Sequence, residues 1–198
     1  WTKAVESLAS VGENDFSATP ALAVVAAEAH LMQAAPVAMR SDLLHGTPIN
    51  LAIFPLSIEP SALQHRRCAI SFFERGARVA WDLGLADTAH YQADRALWLR
   101  LADAESSEKA KEELANSLRD PTKFLRHLHL ALHFGLDVDL EAAERETNRQ
   151  TTLSSGKSID AAIARFALAT NKSADAAAPY IEANRRQLEM LLGQDGTA

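Results

Sequence analysis

The stretch PSALQHRRCAISFFERGARVAWDLGLADTAHYQADRALWL, residues 60–99, decides the fold. Leu63, Cys68, Ile70, Phe73, Ala77 and Ala80 recur at helical spacing and predict one buried stripe on a long helix from Pro60 to Leu83. Pro60 suits the first turn, where the N–H it lacks would have no partner anyway. Gly84 marks the stop, because glycine enters the left-handed conformation that ends helices at no steric cost. Asp87 or Thr88 restarts the chain, and Ala89, Ala93, Ala96, Leu97 and Leu99 give the next helix its apolar side. Helices joined by so short a turn fold back on one another, so the predicted unit is an antiparallel hairpin.

The same punctuation extends outward. Thr19-Pro20 predicts an N-cap and a helix to about Ala35, where Pro36 halts it. Between His45 and Pro60 the pattern breaks at Gly46, Pro48, Asn50 and Pro55, and Leu51 to Phe54 is at most one short strand without a partner. On the other side, Ser106 or Ser107 opens a helix whose Glu108, Lys109, Lys111, Glu112 and Glu113 form a solvated face. Asp120-Pro121 opens another that Gly135 closes, and helices are predicted over Val138–Gln150, Ser158–Ala169 and Ser173–Leu192. No strand is needed in that half. The expected fold is all-α, an array of antiparallel helical hairpins, either α-solenoid-like or an irregular helical bundle. Residues 1–45 read as N-terminal helices, 46–60 as an ordered Pro-rich linker and 61–193 as a helical-hairpin domain, with the first helices either separate from it or part of it.

Composition narrows the function classes. At 198 residues the chain can bury a core of its own, and 47% hydrophobic residues exclude wholesale disorder. A net charge of −6, with the densest basic spots at only Arg66-Arg67 and Arg185-Arg186, argues against a nucleic-acid partner. The most apolar run, Ala21 to Ala35, is interrupted by Glu28, His30 and Gln33 and falls short of the ~18 residues of a membrane span. With one cysteine there is neither an internal disulfide nor a cysteine zinc site, and Cys68 reads as a buried apolar thiol. A reducing, cytoplasmic setting is expected. A chain that opens on Trp1 reads as a piece of a longer or processed protein.

One window, residues 69–102, resembles the tetratricopeptide family of helical repeats. Phe72, Gly76, Val79 and Ala80 precede Gly84 at the turn, and Ala89, Ala93, Ala96, Leu97 and Leu99 follow. Small residues such as Gly76 and Ala89 let two helix axes approach. The family resemblance implies a scaffold that holds a protein or peptide in a groove. Yet a 34-residue period sends Gly76 and Gly84 to Ala110 and Leu118, or to Asp42 and Asn50, and only Ala110 suits. The resemblance covers one repeat, and a generic helical hairpin accounts for the same residues.

Motifs of chemistry were weighed by context. Ser155-Gly156-Lys157-Ser158 ends like a phosphate-binding loop, but Thr151 stands where that loop needs glycine, and a helix precedes it in place of a strand. Glu28 and His30 are two apart, not the three of a di-iron Glu-x-x-His pair. His129 and His133, four apart, share a helix face, and Glu141 beyond the Gly135 turn offers a carboxylate, so these three are the metal candidates. Leu130 takes the place of the glutamate that a metalloprotease would need. Glu141, Glu144 and Glu146 read as a solvated acidic face. Trp81, Tyr91 and Trp98 read as core residues by default, and as partner-binding anchors where exposed. No catalytic residue and no cofactor are assigned. The leading expectation is a non-enzymatic scaffold for a protein or peptide partner. The rival is an enzyme or ligand sensor with an interhelical pocket, metal-dependent through His129 and His133.

Overall fold

The computed structural model describes residue 3, residues 19–35 and 59–153, and residues 159–182 except 174 and 180. The predicted linker 46–60, the run Leu51 to Phe54 and the loop at 155–158 lie outside the described residues, save the helix start at Pro60. The helices are α1 (Pro20–Ala34), α2 (Pro60–Asp82), α3 (Ala86–Leu101), α4 (Ser107–Ser117), α5 (Phe124–His133), α6 (Leu140–Leu153) and α7 (Ile159–Lys172). Helical residues continue at 175–179, where Ser173 Oγ accepts the Ala176 N–H as a cap. The described residues contain no strand, and the fold is all-α. It divides into two compact units, residues 1–107 and 108–198.

The turns obey the glycine punctuation. Gly84 has φ of 72°, Leu85 N–H donates to Ala80 O at 2.8 Å and Gly84 N–H to Trp81 O at 3.0 Å. Gly135, with φ of 69°, repeats the pattern through Leu136 N–H to Ala131 O at 2.9 Å. These paired bonds satisfy carbonyls that a helix end would leave bare. Asp139 caps α6 by accepting the N–H groups of Glu141 and Ala142, each at 3.0 Å. The Asp120-Pro121 restart appears as a turn whose regular helix begins at Phe124.

In the first unit, α2 packs against both α1 and α3. Contacts set the directions: His30 meets His65 and Ala23 faces Gly76, so α1 and α2 are antiparallel. Arg66 reaches the Ala102 carbonyl and Trp81 touches His90, so α2 and α3 are antiparallel too. The shared core joins Ala27, Leu31 and Met32 to Ala69 and Phe73, and to Ala96 and Leu99. The N-terminal helix therefore belongs with the helices that follow it. At the end of α1, Leu31 to Ala35 are all buried, Gln33 included, which encloses that end on every side.

Ile70, Phe73, Ala77 and Ala80 of the predicted α2 stripe are buried. Ala62, Arg66, Ala69 and Gly76 join them, whereas Leu63 and Cys68 are half-buried at the margins. Small residues win the centre because α2 is pressed from two sides. A methyl group on Gly76 would collide with the Gln92 side-chain amide and stand 2.7 Å from Ala23 Cβ. Gln92, fully buried, donates from Nε2 to the Pro20 carbonyl at 3.3 Å, which ties α3 to the start of α1.

The second unit gathers Phe124, Leu128, Ala143, Ala164 and Leu168, with α7 packed against α5 and α6. Lys172 pairs with Glu144 across the antiparallel α6 and α7. Around this small cluster several ion pairs form locally along one helix, as in Lys111–Glu108 at 2.9 Å and Arg149–Glu146 at 2.6 Å.

Candidate functional site

The tip of the α2–α3 hairpin carries the largest exposed apolar side chains among the described residues of the first unit. The glycine turn reverses the chain within Leu83 to Leu85, too tightly for its neighbours to fold inward. Trp81 is 50% exposed, Leu83 52%, Leu85 47% and Tyr91 41%. Trp81 meets the His90 ring edge-on with centroids 4.8 Å apart, which fixes the indole without covering it. Tyr91 is flanked by the Arg95 guanidinium 5.3 Å from its centroid. Arg95 also lies 5.1 Å from Phe73 and pairs with Glu28 at 3.5 Å, so Tyr91 rests on a cation anchored to α1. Asp82 and Asp87 are exposed beside the turn.

These positions correct the expectation that all three aromatics pack inside. Trp81 and Tyr91 face solvent in substantial part because they stand at the margin of the stripe, near the hairpin end where no described helix covers them. Trp98 is half-buried and packs against the core cluster, so it does not join the tip. Leu83 and Leu85 complete the patch and were missed. Their signal was available in the sequence, as leucines flanking Gly84 where turn residues are usually polar.

The metal candidates are placed separately. His129 is half-buried, His133 is exposed with its ring edge-on to Phe134 at 4.9 Å, and Glu141 is exposed with Arg145 3.8 Å away. Among the described residues no group of three His, Cys, Asp or Glu side chains is arranged to hold a metal ion. His127 Nδ1 lies 2.7 Å from Ser117 Oγ, a structural link from α5 to α4. Thr151 sits inside α6, buried, its hydroxyl bonded to Thr147 O at 2.6 Å, so helix precedes the loop-like motif as expected. Of the acidic face, Glu144 and Glu146 are engaged in ion pairs, and Arg149 and Gln150 hold the Glu146 carboxyl down to about 2.

One half-buried pair and one buried polar group escaped the sequence reading. His30 and His65 place their Nδ1 atoms 2.9 Å apart, with the His30 ring stacked on Phe72 at 5.5 Å. Burial, and secondarily the charge of His65, lower the pKa of His30. Arg66 is buried, donating to Ala102 O at 3.3 Å; burial pulls its pKa down while Asp103 opposes the shift. Spacing alone marks such residues as exposed because charged types rarely lie in a buried stripe.

No protein-family model matches the chain, and neither a curated protein nor a solved structure does so. No described helix is long and apolar enough to cross a membrane.

Proposed function

We propose that this chain is a non-enzymatic helical scaffold that binds a protein or peptide partner, and that the α2–α3 hairpin tip, rather than the groove that a tetratricopeptide-like array would offer, engages it. The supporting observation is the cluster of Trp81, Leu83 and Leu85 at one turn, each about half exposed, on a hairpin clamped from within. A rigid aromatic between aliphatic side chains offers buried area on binding with little ordering cost, the composition that dominates binding hot spots. A fixed base helps, and the closely packed Gly76 seam supplies it. The reading places the chain in the cytoplasm without cofactor, nucleic acid or membrane. The rival reading, an enzyme or sensor using His129 and His133, has no comparable support.

A photo-crosslinking residue at position 83, introduced into the full chain in its native cell extract, tests the proposal. We expect one discrete adduct that disappears in a Trp81→Ser, Leu85→Ser variant with unchanged circular dichroism. An adduct indifferent to those substitutions, or none at all, would sink the tip as the binding element.

A further inference from the structure

The second unit holds an open cleft of about 560 Å³ between the α4–α5 turn and the first two turns of α6. Leu118, Phe124 and Val138 form its floor, which is the outer side of the unit's own core. Asp137, Asp139 and Glu146 line it against the single cation Arg119. We propose that this cleft docks a peptide segment presenting a bulky apolar side chain between two basic residues.

Three features select that occupant. An apolar floor favours an apolar anchor, since its burial is the main source of affinity. The lining carboxylates outnumber the cation, so the cleft complements positive charge. Asp139 is held by the α6 N-terminus and Glu146 by Arg149, so both stay fixed in place. Asp137 makes no hydrogen bond or ion pair among the described residues and meets a ligand with its charge unshared.

Spacing argues for a peptide over a small amine. From Asp139 to Glu146 along α6 the axial rise is about 10 Å at 1.5 Å per residue. Side chains of an extended peptide alternate between two faces, so two lysines four residues apart, spanning about 13 Å, share a face with the residue midway between them. Their flexible stems can close on both carboxylates while that middle residue enters the floor. A second copy of this chain is disfavoured by its own net charge of −6.

The inference deepens the scaffold reading, but it concerns a different surface and fails separately. The test uses the full chain and a rhodamine-labelled, amidated peptide Gly-Lys-Gly-Phe-Gly-Lys-Gly, with a counterpart carrying glutamate for lysine, read by fluorescence anisotropy. Saturable binding of the lysine probe, at least tenfold tighter than the glutamate probe, is expected. Asp137→Lys should weaken it about fivefold and Arg119→Glu should strengthen it. Ala142→Trp, which fills the cleft from a half-buried position, should abolish binding with circular dichroism intact; Ala142→Leu serves if the indole prevents folding. The Trp81→Ser, Leu85→Ser variant should bind the probe as the parent does, which separates this site from the hairpin tip. Equal binding of the two probes, indifference to a filled cleft, or self-association of the chain through this face would overturn the proposal.

Discussion

Residues 1–107 draw polar groups into the seams between helices, whereas residues 108–198 keep their charges on helix surfaces. In the first unit Gln92, Arg66 and Asp103 are buried, and two of them bond to carbonyls of other segments. Among the described residues of the second, the buried polar ones are Thr147 and Thr151 on one helix, and the Thr151 hydroxyl is satisfied within that helix. The difference teaches where specificity resides. A buried amide that must find a particular carbonyl permits one helix register, while an apolar cluster ringed by local ion pairs tolerates small shifts. Substitutions in the first unit should therefore be less forgiving. The tryptophans make this measurable, since Trp1, Trp81 and Trp98 all fall within residues 1–107.

The largest effect is expected from Gly76→Val. Overpacking costs about 1–3 kcal/mol, and displacing Gln92 from its only carbonyl adds a similar amount, so a loss of about 4 kcal/mol is predicted. Urea unfolding followed by tryptophan fluorescence should show the first unit unfolded or nearly so. A variant as stable as the parent would mean that α1 and α3 do not press on α2 as described.

Leu128→Ala comes next, at about 3 kcal/mol, because Leu128 is fully buried in the second cluster. Circular dichroism should lose part of its cooperative transition while the tryptophan transition keeps its midpoint. A tryptophan midpoint that follows Leu128 would erase the distinction between two separately stable units.

The smallest effect concerns pH. His30 binds its proton less readily in the folded chain than its usual value of 6.5 allows, first because it is buried and then because His65 faces it. The contribution is therefore complete above pH 6.5 and is lost as the pH falls below it, since the unfolded chain takes up the proton more readily. The urea midpoint of the tryptophan transition should drop between pH 7 and pH 5, and His30→Phe should flatten that drop. A midpoint equally pH-sensitive in the variant would place the titration elsewhere.

Much of the helical layout was legible because glycine and proline act locally. Gly84, Gly135 and Pro20 announce helix ends by their own backbone chemistry, without reference to anything distant. In the core stripe of α2, Ile70, Phe73, Ala77 and Ala80 were legible, but Leu63 and Cys68 stood in for Ala62 and Arg66 because they look more apolar. Only the close approach of two helices explains why the smaller residues face inward. The His30–His65 pair and the Arg66 carbonyl bond join residues 35 and 36 positions apart, beyond any periodicity within one helix. For the site, the aromatic at 81 was legible as a residue worth watching. Its exposure was not, because burial at a hairpin end depends on which helices happen to extend past it.

The hydrogen bond from Gln92 to the Pro20 carbonyl also sets an order of events during synthesis. The two residues are 72 positions apart, about 4 to 14 s of translation at roughly 5–20 residues per second. Until Asp82 has been made the helix Pro20–Ala34 lacks its completed α2 partner, and until α3 follows the shared core around Leu31 and Met32 stays open on one side. A growing chain in that condition is a substrate for the cell's holding chaperones until α3 arrives and closes the seam.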